Sequence, residues 1–176
     1  MIIYKCLLTG DEMFSDIYKI ETTEDDLFFE VQGQHISRKV GSVDDSLIGG
    51  NASAEEVTEG TDETTESGVD IVLNHHLQQT PAFKTKEEFL KYLKAYMKGL
   101  KSKIEETCPE KLTKFQEDAQ KASKKMLSMV LKNKELEFFT GESMNPEGTI
   151  GFLDYRSDGI TPFMIFFKGG LEIEKC

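Results

Sequence analysis

Residues Thr85–Val130 read TKEEFLKYLKAYMKGLKSKIEETCPEKLTKFQEDAQKASKKMLSMV, and the spacing of their apolar side chains decides the fold class. Phe89, Leu93, Tyr96, Met97, Leu100 and Ile104 recur at intervals of mostly three and four, which marks one face of a helix. Thr85 stands at the N-cap position, and Glu88 three residues later completes a capping box. Pro109 biases Cys108 out of the helical region and so stops this helix, while suiting the first turn of the next. Leu112, Phe115, Ala119, Ala122, Met126 and Val130 then form a second apolar face. Two helices of about twenty residues joined by so short a link must lie antiparallel, which predicts a helical hairpin over residues 84–132.

Outside this segment the pattern changes. IIYKCLL, EMFSDIYKI, DLFFEVQG and HISRKV are short runs rich in Ile, Val, Phe and Tyr, separated by the turn signals GD, TTED and GQ. They predict strands in meander order, and Gly68–Leu77 (GVDIVLNHHL) predicts another. After the hairpin, LEFFTGE, TIGFLDY, PFMIFFKGG and LEIEKC repeat the pattern with NPEG and SDG as turns, giving about eight or nine strands in all. The expected class is α+β: an irregular antiparallel β-body carrying an inserted two-helix hairpin. At 176 residues the chain is expected to be one domain, 1–176.

Charge is distributed unevenly. Between Val40 and Gly68 stand eight acids, no Lys or Arg and no aromatic residue. Such a stretch offers too little apolar surface to offset the entropy of ordering it, so residues 40–68 are expected to form a long flexible acidic loop. Between Lys84 and Lys134, fourteen Lys face seven acids, a local charge of +7 in a chain whose net charge is −11. At 100° per residue, Lys91, Lys94, Lys98 and Lys101 fall opposite the apolar face of the first helix, and Lys114, Lys121, Lys124 and Lys125 do so on the second. Two readings stay open: a solvated helix surface, or a docking surface for an acidic partner such as tubulin. Nucleic acid is disfavoured, since the stripe contains no Arg and little aromatic interleaving.

Several classes are disfavoured. No run approaches the roughly eighteen apolar residues of a bilayer span, so membrane insertion is not expected. The N-terminal MIIYKCLLTGDEMF has no basic leader and no small-residue cleavage site, which predicts a cytoplasmic protein. Cys6, Cys108 and Cys176 form no CxxC pair, so free thiols are expected rather than a disulfide framework or zinc site, with Cys176 open to oxidative crosslinking of two otherwise monomeric chains. No nucleophile elbow, P-loop or GxGxxG appears, and an enzyme is not expected. A partial EF-hand echo at Asp154, Arg156, Asp158 and Gly159 fails because Arg156 holds a ligand position and Ile165 stands where a bidentate Glu belongs. His75 and His76, adjacent in the strand expected over 68–77, would point to opposite faces, which spoils joint metal binding.

The strings MIIYKCLLTGDEMFSDIYKI, VDDSLIGGNASAEE, GVDIVLNHHLQ, FFTGESMNPEG and FLDYRSDGITPFMIFFKGG, with the terminal EIEKC, resemble the translationally controlled tumour protein family over essentially the whole chain. IGGNASAE from Ile48, and FFTGE followed by GTIGFLDY, match the two patterns by which that family is recognised. The resemblance implies a β-tent similar to that of the Mss4-type GTPase chaperones, with a helical hairpin and a flexible acidic loop. Those chaperones hold zinc through paired CxxC motifs; this sequence has neither pair, so no zinc is expected. The resemblance further implies weak Ca2+ binding, association with tubulin and microtubules, contacts with a Ras-like small GTPase, translation elongation factors and apoptosis regulators, and non-classical secretion beside the cytoplasmic pool. A guanine-nucleotide exchange role is the alternative it offers.

Residue by residue, Glu12 in GDEMFSD matches the family's GTPase-contact acid, although a solvated turn acid would look the same. Asn51, Glu55, Glu56 and Glu59 are the candidate calcium ligands; a weak site and a merely solubilising loop both fit them. Ser46, after Asp44 and Asp45, resembles a phosphorylation serine in an acidic context. A second phosphoserine position of the family falls on Gly99 here.

Overall fold

The computed structural model describes residues 1–40, 64–81, 83, 85–133, 135–145 and 147–175. The elements are β1 (Ile2–Cys6), β2 (Glu12–Ser15), β3 (Lys19–Thr22), β4 (Phe28–Gln32), β5 (His35–Val40), β6 (Thr64–Val69), α1 (Asp70–Asn74), β7 (Gln78–Thr80), α2 (Lys86–Thr107), α3 (Leu112–Lys132), β8 (Glu137–Thr140), β9 (Gly151–Tyr155), β10 (Pro162–Phe167) and β11 (Leu171–Lys175). The strands form three antiparallel sheets: β3-β4-β10-β9-β8-β7, β11-β1-β2 and β5-β6.

The six-stranded sheet is covered on both faces, and the alternation of side chains shows how. Phe163, Ile165 and Phe167 of β10 pack with Phe28, Phe138 and Phe152 against α2 and α3. Met164 and Phe166 point the other way and join Val31, Phe139 and Leu153 against Met13, Phe14 and Ile71. A strand enclosed on both faces needs apolar residues at every position, which accounts for the unbroken run PFMIFF.

The hairpin forms as its spacing requires. Thr85 Oγ1 accepts a hydrogen bond from Glu88 N at 3.1 Å, satisfying one of the amides that a helix start leaves free. Phe89, Leu93, Tyr96, Leu100 and Ile104 of α2 are buried, as are Phe115, Ala119, Ala122 and Met126 of α3. Pro109 opens a short 3-10 turn, Pro109–Lys111, between the two helices. The expected span 84–132 thus holds from Lys86 onward, Lys84 lying outside the described residues.

Three expectations need correction. The strand expected over 68–77 ends at Val69, where its partner β5 begins at His35; one further backbone bond, from Asp70 N to Gln34 O at 2.9 Å, closes the pairing, and the chain turns into α1. EMFSDIYKI is two strands, because β2 pairs with β1 in one sheet and β3 with β4 in another, with a turn between them. The acidic segment 40–68 is not wholly loop: Val40 ends β5 and residues 64–68 belong to β6, paired from His35↔Val69 to Val40↔Thr64. Residues 41–63 lie outside the described residues. Eleven strands are present among the described residues, one of them the short β7 that the sequence reading did not anticipate.

Candidate functional site

Two surfaces carry the chemistry-bearing residues. The first is the outer face of the hairpin. Lys91, Lys94, Lys98 and Lys101 are all exposed, and on an ideal helix they fall within about 80° of one another over roughly 15 Å. None of the four makes an ion pair with an acid among the described residues. The helix beneath them is held rigidly: Tyr92 Oη donates to Gly148 O at 2.8 Å, and Tyr96 Oη lies 2.9 Å from Thr149 Oγ1, which in turn donates to Gly170 O at 3.2 Å. Burial pushes the Tyr96 phenol well above its usual range, so the hydroxyl keeps its proton and the chain of bonds persists across the physiological pH range. Gly170 is required there, since a Cβ would collide with the Tyr96 hydroxyl.

The lysines of α3 are exposed too, but they are not equivalent. Lys125 pairs with Asp25 in the β3–β4 turn. Lys168 reaches Asp26 in the same turn at 2.5 Å; this bond, with a smaller contribution from Lys114, holds the Asp26 carboxyl below its usual range. An acidic turn of the chain itself therefore occupies part of the α3 stripe. Lys121 and Lys124 remain open, without an ion pair among the described residues. The sequence signal for this pairing was TTEDD itself, read as a turn and not as a counter-charge.

The second surface surrounds Glu12 at the start of β2. Its backbone is fixed by the preceding turn: Cys6 N donates to Asp11 O at 2.8 Å, and Asp11 Oδ2 accepts from Ser143 N at 3.3 Å and from Ser143 Oγ at 2.5 Å. The Glu12 side chain is about half exposed, with Oε2 4.0 Å from His75 Nδ1. His75 is placed there by α1. The helix ends in a Schellman arrangement, with Leu77 N donating to Val72 O at 3.0 Å and His76 in the left-handed region at φ 54°. The two histidines are therefore not on opposite faces of a strand: His75 turns inward beside Tyr18, ring centroids 5.8 Å apart, and His76 is exposed. Asn74 Nδ2 donates to Tyr18 Oη at 3.0 Å and ties the turn to the same patch. Burial lowers the His75 pKa, partly opposed by Glu12. Sequence reasoning missed His75 as a neighbour of Glu12, and Tyr18 beside that ring, because only the tertiary fold brings the end of α1 to β2.

The remaining candidates disperse. Ser46, Asn51, Glu55, Glu56, Glu59 and Cys176 lie outside the described residues. In the EF-hand echo, Asp158 spends its carboxylate on Ile160 N, Thr161 N and the Thr161 hydroxyl, and Arg156 bonds Glu30 at 2.6 Å while covering the Phe163 ring. No three His, Cys, Asp or Glu side chains converge on a metal-sized space among the described residues. Cys6 is buried, its Sγ accepting from Thr9 N and Thr149 N, and Cys108 is half-buried. Gly99 faces Leu8 on the inner side of α2 and offers no hydroxyl.

The profile of the family described as translationally controlled tumour protein matches residues 1–172. The chain belongs to this family. It is 56% identical to the translationally-controlled tumor protein homolog of Danio rerio over 176 residues and 55% identical to the translationally-controlled tumor protein of Homo sapiens over 177, covering all of both chains in each case. Among solved structures it is similar to the translationally controlled tumor-associated protein p23fyp of Schizosaccharomyces pombe, with a TM-score of 0.73, 37% identity and all of both chains covered. The family member from Caenorhabditis elegans matches with a TM-score of 0.66 and 27% identity, over all of this chain and 99% of that one. The mixed helix and antiparallel-sheet architecture with its helical hairpin is thus the architecture of translationally controlled tumour proteins.

Proposed function

We propose that this member of the translationally controlled tumour protein family is a non-enzymatic docking protein of the cytoplasm that supports growth and cell survival. It holds acidic protein surfaces, tubulin first, against the lysine row of α2. The observation that carries this reading is the row itself: four exposed ammonium groups, unpaired among the described residues, on a helix anchored through its opposite face. A row of like charges gains by meeting a counter-charged partner, and the attraction is screened by salt. Charge reversal of Lys91, Lys94, Lys98 and Lys101 to Glu is expected to abolish co-sedimentation with microtubules, and salt to suppress it steeply in the wild type. Co-sedimentation that survives both overturns the reading. On α3, Lys121 and Lys124 extend the surface, while Lys114 and Lys125 contribute less because the Asp25–Asp26 turn already faces them.

A second reading rests on Glu12, half exposed on a fixed backbone: contact with a Ras-like small GTPase or a translation elongation factor, with nucleotide exchange as the stronger form. A carboxylate brought to a nucleotide's magnesium site would loosen the metal. Release of fluorescent GDP from a panel of GTPases separates the cases. Acceleration lost in Glu12→Ala makes the protein an exchange factor, and binding without acceleration leaves an adaptor. Apoptosis regulators are further candidate partners of the same docking role. Weak Ca2+ binding through Asn51, Glu55, Glu56 and Glu59, and phosphorylation at Ser46, are proposed as modulators; a calcium titration that leaves these amide resonances unmoved at millimolar ion removes the first.

A further inference from the structure

The strongest feature outside these readings is the ring of His75. It is about nine-tenths buried, and its Nε2 has no hydrogen-bond partner among the described residues. Such an orphan is costly, and its presence points to a role for the ring. The other ring nitrogen faces Glu12 Oε2 at 4.0 Å, too long for a hydrogen bond. Neutral imidazole at this distance exerts little pull on a half-exposed carboxylate, whereas imidazolium would form a charge-assisted bond with it.

We propose that His75 is a positioning residue for the Glu12 contact: neutral, it leaves the carboxylate open to a partner; protonated, it draws Glu12 in as its counter-ion. This rests on the reading of Glu12 as a contact acid. The groups that bear on the ring are Glu12 from β2, Tyr18 from the β2–β3 turn, and Asp70 and His76 from its own segment. Glu12 and Asp70 favour the cation, while burial and His76 oppose it, burial most strongly. The ring is therefore neutral at pH 7, with Glu12 presented. Acidification closes the pair, and by linkage a partner that takes the carboxylate makes His75 harder to protonate.

The test follows both groups in the free protein by NMR. The His75 Cε1 resonance is expected to titrate below pH 6.5, and its midpoint to fall further in Glu12→Gln, because the carboxylate that favours the cation is gone. The Glu12 Cδ resonance should show a second inflection at the His75 midpoint. A His75 midpoint unmoved by Glu12→Gln, with a single Glu12 inflection, overturns the proposal. Where the release assay identifies a binding GTPase, affinity should fall about twofold between pH 7.5 and 5.5 in the wild type and stay level in His75→Gln, since the loss is bounded by the coupling of the two groups; an equal fall in both also overturns it. Absence of binding at either pH instead counts against the contact reading, and the NMR titration then decides the coupling alone. Since the substitution at Glu12 is on an exposed side chain, that arm holds even where His75→Gln fails to fold.

Discussion

Pro162–Phe167 and Val69–Leu77 are two apolar stretches that read alike as strands, and they end differently. The first lies in the middle of the six-stranded sheet, with β4 on one side and β9 on the other, and all six of its residues are buried. The second leaves its partner strand β5 just after Val69 and closes into the five-residue α1. Both bury apolar side chains in the same core: Met164 and Phe166 from β10 meet Val69, Ile71 and Leu77. What separates them is the supply of backbone partners. A strand is stable only where a neighbouring chain offers a ladder, and a segment without one must satisfy its amides locally.

The switch at Asp70 is made by hydrogen bonds. Asp70 N donates to Gln34 O at 2.9 Å, and its Oδ1 accepts from Gln34 N at 3.0 Å and from Ile71 N at 2.8 Å. Gly33 lets this carboxylate approach, because a Cβ there would stand 2.6 Å from Oδ1. Past α1, the Schellman turn through His76 reverses the chain toward β7 and leaves His75 beside Glu12.

Substitutions in the two stretches sharpen the contrast. Phe166→Ala, at a fully buried ring tilted against Phe14 in the doubly covered strand, is expected to cost about 3–5 kcal/mol in urea denaturation. Ile71→Ala, equally buried but on a one-turn helix whose surroundings can settle into the space, should cost less, about 2–3 kcal/mol; a larger loss than at Phe166 would show that α1 is no more yielding than the sheet. Asp70→Ala removes the bonds that begin the helix and should cost about 1 kcal/mol, with amide exchange speeding up at Gln34 and Ile71 before the sheet.

Proton linkage gives a further test. The folded pKa of His75 is lowered, so the unfolded chain binds the proton more readily. Its contribution to stability is therefore complete above pH 6.5 and is lost as pH falls from there toward the lower folded value. His75→Gln should flatten that part of the stability profile measured by denaturation at successive pH values; an unchanged slope would mean that the ring is solvated in the fold. The smallest effect is expected at the turn, where His76→Gly relieves a left-handed conformation and should stabilise by about 0.5 kcal/mol, read as a rise in thermal midpoint.

The two helices, their cap at Thr85, the break at Pro109 and the lysine rows could all be found in the sequence, because helical periodicity and capping depend on residues three and four apart. Most strands were legible for the same local reason, as runs of β-branched and aromatic residues between turns, but not β7, the helix inside the expected 68–77 strand, or the division of EMFSDIYKI between two sheets. Family membership was carried by whole strings such as IGGNASAE and FFTGE. Contacts between segments distant in the chain were not legible: Asp25 against Lys125, Tyr96 against Thr149, Asp11 against Ser143, and His75 against Glu12. Residues such as Asp25 and His75 carry no periodic signal, and their chemistry depends on which neighbour the packed core brings within a few ångströms. Sequence by itself determined the hairpin, the charge pattern and the family; tertiary structure alone decided that Val69–Leu77 bends into a helix, that part of the α3 lysine stripe is already met by an acidic turn, and that Glu12 stands beside a buried imidazole. Local pattern settles secondary structure, whereas burial and ladder partners are properties of the assembled fold.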